Sequence, residues 1–149
     1  MAFINTQPPH QSIYVFSDRT DYASPLIDYT NSYAWQRFDC LWGVRGLVDQ
    51  IHAQGDKTVR DYIKNNKDKL FFLNIVVDDL HVHKPDLIFV DVRKNNSVFN
   101  GAFTNFDYLD YFSENKKFKD EWNSYRYLTT IEGKNWLYSI FKLDVYKRI

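Results

Sequence analysis

Asp86-Leu87-Ile88-Phe89-Val90-Asp91 is an uninterrupted apolar run closed by an aspartate at each end, and its reading decides the fold. A half-solvated strand would alternate polar and apolar side chains. Four apolar residues in a row are the mark of a strand buried on both faces, as in a parallel sheet. Upstream, Val59, Tyr62, Ile63, Leu70, Leu73, Val77 and Leu80 fall at helical spacing behind Thr58-Val59-Arg60-Asp61, a capping box with Asp in place of Glu. Asn65-Asn66-Lys67-Asp68 is an expected break in that helix, and Pro85 ends it because the residue before a proline is pushed out of the α region. A helix feeding a doubly buried strand is half of a βαβ unit.

Working outward, Ile13-Tyr14-Val15-Phe16 reads as a second short buried strand, cut off by the polar loop Ser17-Asp18-Arg19-Thr20-Asp21. The stretch Ser32 to Leu41 is expected to be a short helix burying Trp35 and Phe38, with a further turn through Leu47 and Ile51. Arg93 to Thr104 is a polar loop. Beyond it Tyr108, Tyr111, Phe112, Phe118, Trp122 and Tyr125 recur every three or four residues, as in a helix or helix pair with an aromatic face. Tyr125 to Ile131 and Trp136 to Tyr146 bracket Glu132-Gly133-Lys134-Asn135 as an antiparallel hairpin. The expected fold is therefore a three-layer α/β domain with a small mixed sheet, parallel in its centre and closed by an antiparallel C-terminal hairpin. Residues 1–11, with Pro8 and Pro9, form an extended lead-in, and 12–149 form one domain.

Composition narrows the function. The 149 residues carry 19 basic and 19 acidic side chains, so no global field draws the chain to nucleic acid or anionic lipid. The 44% hydrophobic and 26% charged content is that of a globular domain. Aromatic residues reach 18%, and Tyr and Trp favour interfaces as well as cores, so a partner is expected to be a membrane protein or a second copy meeting an aromatic surface. Leu70 to Val77 falls far short of the roughly 20 apolar residues that cross a bilayer, and Met1 to His10 has no signal-peptide pattern. As written, the chain is expected to be cytoplasmic and not inserted in a membrane. Cys40 is the single cysteine and reads as a small buried hydrophobe. No Walker A loop, G-x-G-x-x-G fingerprint or G-x-S-x-G elbow occurs, and no cofactor is expected.

Ligands of open α/β sheets sit beyond the carboxyl ends of the strands. That rule nominates Ser17, Asp18 and Arg19 after the first strand and Asp91, Arg93 and Lys94 after the second, a mixture of carboxylates and cations suited to a phosphorylated or polar ligand. Arg37, within Trp35-Gln36-Arg37-Phe38, is a further candidate contact, with stacking on the rings or pairing with Asp28 or Asp39 as its structural alternative. His81 and His83, with Asp79, are metal-ligand types. Residues two apart do not share a helix face, however, and histidines closing a helix are favourable against its dipole, so no metal is expected.

Several fragments together resemble the C-terminal soluble, extracytoplasmic domain of bacterial multi-pass glycosyltransferase-like membrane proteins that use polyprenyl-phosphate sugars. They are Ile13 to Phe16; Ser24-Pro25-Leu26-Ile27-Asp28-Tyr29-Thr30 with Trp35-Gln36-Arg37-Phe38 and Leu41-Trp42; Lys84 to Asp91; and Tyr125-Arg126-Tyr127 with Tyr138 and Tyr146-Lys147-Arg148. The resemblance is distributed over most of the chain. Proteins of that class carry their catalytic carboxylates among transmembrane helices, which this sequence lacks, so the resemblance implies no catalytic residue here. It implies a non-catalytic accessory or binding module, and a cell-envelope setting if the chain is a fragment of a larger membrane protein. The alternative is a small ligand-binding domain or enzyme acting on a phosphorylated or sugar substrate at the strand ends.

Overall fold

The computed structural model describes residues 10–20, 27, 31–41, 43, 44, 46, 70–92, 107–134 and 140–149. In chain order these form β1 (Ser12–Phe16), β2 (Tyr33–Ala34), α1 (Leu70–His83), β3 (Leu87–Asp91), α2 (Tyr108–Phe112), α3 (Lys116–Trp122), β4 (Tyr125–Lys134) and β5 (Ile140–Arg148). The five strands make one sheet in the order β2-β1-β3-β5-β4. β1 runs parallel to both β2 and β3, whereas β5 is antiparallel to β3 and β4. The mixed α/β sheet expected from the sequence is thus observed, with its parallel pair at β1 and β3 and its antiparallel hairpin at the C-terminus.

Both expected inner strands are buried along their whole length. Their side chains alternate between two cores. Tyr14, Phe16, Ile88 and Val90 face α1, α2 and α3, meeting Leu73, Val76, Val77 and Leu80 of α1 with Tyr108, Phe112 and Phe118. Ile13, Val15, Leu87 and Phe89 face the other way with Leu143 and Val145, and Ile27, Ala34, Ile131 and Phe141 pack against them. All three described helices lie on the first face. The second face is as closed to solvent as the first, which is why the Leu87 to Val90 run has no polar side.

Local chemistry sets the ends of these elements. α1 closes with Lys84 in the left-handed region, φ 45°, its amide donating to Leu80 O at 3.0 Å, and buried Pro85 then forbids another turn. Asp86 fixes where β3 starts: its Oδ2 accepts from both the amide and the hydroxyl of Ser12 at 2.8 Å, and its carbonyl accepts from Arg148 N at 3.0 Å. Asn115 caps α3 by accepting from Lys117 N and Phe118 N. The aromatic repeat resolves into two short helices, α2 and α3, rather than one long one.

Two expectations are corrected. Residues 31–40 are not helical: Tyr33 and Ala34 form the edge strand β2, and Trp35 and Phe38 are exposed. Backbone pairing with β1 outweighs local propensity there, and beyond β2 the side chain of Gln36 continues the edge by accepting from Val15 N at 2.8 Å. In the hairpin, Glu132, Gly133 and Lys134 are strand rather than turn, paired with Lys142, Phe141 and Ile140. Gly133 permits this because a Cβ there would lie 2.7 Å from the Phe141 ring, so the ring covers the glycine from the neighbouring strand. Residues 1–9 of the lead-in, the turn through Leu47 and Ile51, the Thr58 to Asp61 capping box and the Arg93 to Thr104 loop lie outside the described residues.

Candidate functional site

The parallel register of β1 and β3, with Phe16 beside Val90, places Ser17 next to Asp91 at the carboxyl ends of both strands. Ser17 Oγ donates to Asp91 Oδ2 at 3.4 Å and accepts from Arg19 N at 3.1 Å. Ser17 O accepts from Leu41 N at 2.7 Å, so the segment leaving β2 crosses over this strand end. Asp18 and Asp91 are only 8% and 7% exposed, and Arg19 keeps one guanidinium nitrogen, Nη1, out of solvent. Four of the residues nominated from sequence, Ser17, Asp18, Arg19 and Asp91, therefore gather at one end of the sheet. Arg93 and Lys94 lie outside the described residues.

Chemically the cluster is rich in acceptors. Two carboxylates offer several lone pairs to hydroxyl or amine donors, and a guanidinium is suited to a phosphate or carboxylate. The Ser17 hydroxyl is engaged with a carboxylate and a backbone amide. That arrangement orients it as a hydrogen-bonding group.

Arg37 belongs to a different constellation. Its Nε lies 2.6 Å from Asp79 Oδ1 and its amide donates to Asp79 Oδ2 at 3.2 Å. Asp79 is 1% exposed, and Tyr14 on β1 shares a side-chain hydrogen bond with it. A carboxylate so deep costs several kcal/mol unless it is paired and hydrogen-bonded, and here Arg37 and Tyr14 supply both conditions. The trio ties β1, α1 and the segment after β2 together. Sequence reading placed Asp79 only among metal-ligand types. Its position three residues after the inward Val76 and one before the inward Leu80 was the available signal that it borders the core stripe.

The histidines diverge. His81 Nδ1 meets Glu121 Oε1 of α3 at 2.5 Å, beside an open cleft of about 260 Å³ lined by Val77, Asp78, His81, Lys117, Asp120 and Glu121. His83 stacks on Trp35 with ring centres 5.1 Å apart and planes 5° apart. His81, His83 and Asp79 therefore face three separate partners, and no group of three or more metal-ligating side chains occurs among the described residues.

Buried phenols give the domain an alkaline limit. Burial raises the Tyr14 hydroxyl well above its usual range, helped by the negative charge of Asp79 and partly offset by Arg37. Burial alone raises Tyr111. Tyr125 is pushed up to about 12 by burial, with Arg148 opposing and Glu121 and Asp86 adding to the rise. Unfolded phenols ionise near pH 10, so between about pH 10 and pH 12 the unfolded chain has released protons that the folded chain still holds. The stability from keeping these phenols neutral is complete below about pH 10 and is lost as pH rises through the folded values, by about 1.4 kcal/mol per pH unit for each phenol. Urea midpoints measured at pH 8, 10 and 11.5 should fall steeply over the last interval, and less steeply in Tyr125→Phe.

Comparison of the chain with protein-family models, curated proteins and solved structures returned no match. No helix among the described residues is long and apolar enough to cross a membrane.

Proposed function

We propose that the chain is a non-catalytic binding module that takes a hydroxyl-rich or phosphorylated ligand of the sugar class at the carboxyl ends of β1 and β3. One observation carries the reading: two nearly buried carboxylates, Asp18 and Asp91, stand with Ser17 and Arg19 where an open α/β sheet presents its ligands. Carboxylates accept from sugar hydroxyls, and Arg19 matches a phosphate. The resemblance to soluble domains of envelope glycosyltransferase-like membrane proteins supports the same ligand class and an accessory role beside a membrane protein.

The test is a thermal-shift screen against monosaccharides, sugar phosphates, nucleotide sugars and divalent metals. A ligand at about 100 times its Kd stabilises the fold by about 2.7 kcal/mol, a rise of roughly 5–10 °C for a domain of this size. A sugar or sugar phosphate should produce that rise in the wild-type protein, and Asp91→Asn should remove it. No shift from any sugar-class compound, or a shift that survives in both Asp91→Asn and Asp18→Asn, would overturn the reading.

A further inference from the structure

Phe71, Asp78 and Val82 stand on one stripe of α1, because steps of seven and four residues return to nearly the same helical angle. The neighbouring stripe of Phe72, Asp79 and His83 is covered by the segment after β2. Phe38 lies 5.7 Å from Phe72 between ring centres, Arg37 pairs with Asp79, and Trp35 stacks on His83. Two rows therefore run side by side on the surface, Phe71-Asp78-Val82 on the helix and Phe38-Arg37-Trp35 on the segment. Each reads apolar, charged, apolar, and the two charges are opposite. Every member is exposed: Phe71 57%, Val82 66%, Trp35 51% and Phe38 38%, with the side chains of Arg37 and Asp78 at 48% and 59%.

We propose that these rows form a self-complementary interface through which the chain pairs with a second copy, about a two-fold axis lying along α1 between the rows. That rotation lays the helix row of one copy on the segment row of the other. Phe71 then meets the partner's Phe38, Asp78 meets the partner's Arg37, and Val82 meets the partner's Trp35, each contact occurring twice, as an isologous interface demands. Within one copy Arg37 Nη2 approaches Asp78 only to 3.9 Å, a loose pairing that a facing carboxylate improves. A patch with one charge of each sign, on a chain with 19 basic and 19 acidic residues, meets its own copy without net repulsion. A strongly basic or acidic partner would gain nothing from it. Trp, Phe and Arg are also the residues concentrated at the centres of interfaces.

Six side chains form a small interface, so a dissociation constant in the micromolar range is expected. Sedimentation equilibrium from about 1 to 300 μM, spanning that range, tests it on the wild-type chain and on Val82→Glu and Asp78→Lys. Both substitutions lie at exposed positions, so the circular dichroism spectrum should stay unchanged; the unfolding midpoint should hold in Val82→Glu and drop slightly in Asp78→Lys, which gives up the loose pairing with Arg37. The wild type should show a reversible monomer–dimer equilibrium, weakened about tenfold or more in each variant. A wild-type chain that remains monomeric at the highest concentration would overturn the proposal. So would a dimer that both variants leave intact, which would place the interface on another face, such as the edge strand β4.

Discussion

Phe16→Ala should cost about 3–5 kcal/mol, the range for emptying a large aromatic site in a core that relaxes only partly. Phe16 has no exposed surface. Its ring centre lies 5.3 Å from Phe112, 6.2 Å from both Tyr108 and Phe118, 6.3 Å from Trp122 and 5.2 Å from Tyr14. One side chain thus joins β1 to both α2 and α3, and several of these contacts are edge-to-face, a geometry that adds to the area term. Set against a total stability of about 5–15 kcal/mol, the loss is a fifth or more of the fold. Urea unfolding should show the midpoint falling with little change in slope. Phe16→Leu, which keeps most of the volume, should lose clearly less. A loss under about 1 kcal/mol for Phe16→Ala would mean that the aromatic cluster closes over the gap, against the cavity cost assumed here.

Arg37→Ala is expected to have the second large effect, about 3–5 kcal/mol, because it leaves Asp79 as a buried carboxylate without its counter-charge. The reverse change is milder. Asp79→Asn leaves a half-exposed guanidinium that water can reach, and the amide can still accept from Tyr14, so about 1–2 kcal/mol is expected. The combination Tyr14→Phe, Arg37→Met and Asp79→Leu separates a structural trio from a functional one. If the three groups serve only to satisfy one another, an apolar replacement of similar volume should recover most of the stability lost in Arg37→Ala. Thermal unfolding of the wild type and these three variants at one pH decides it. An Arg37→Ala protein as stable as wild type would show that Asp79 has another counter-ion.

Both experiments touch groups that the sequence presents very differently. Phe16 was legible as core, since it closes an unbroken apolar strand. Arg37 read as a ligand contact with pairing as its alternative, and among the described residues the structure supplies a pairing partner 42 residues away, Asp79, rather than Asp39; Asp28 lies outside the described residues. Nothing local distinguishes these cases, because aspartate on a helix is ordinary at any exposed position and is costly only once packing removes water from it. Trp35 and Phe38 show the same limit from the other side. As large aromatics they were expected to be buried by a helix, yet the hydrogen bonds of β1 hold residues 33–36 in an extended path that leaves both rings at the surface.

The strand-end cluster was the most readable part of the candidate site. A polar loop after each doubly buried strand, together with the rule that parallel strands present ligands at their carboxyl ends, singles out Ser17, Asp18, Arg19 and Asp91 in the sequence alone. What the spacing could not supply was the register that puts Ser17 beside Asp91 instead of one residue away on the opposite face.

By itself the sequence determined the class of the fold: which segments are strands buried on both sides, where Pro85 stops the long helix, and that the chain ends in an antiparallel hairpin. Each of these follows from forces acting over a few residues, namely side-chain periodicity, proline geometry and β-branched or aromatic content. Only the tertiary structure decided the strand order β2-β1-β3-β5-β4, the burial of Asp79 on Arg37 and Tyr14, and the path of Trp35, Arg37 and Phe38 along α1. These depend on contacts between residues tens of positions apart, whose free energy comes from water excluded and charges matched after the chain has folded back on itself.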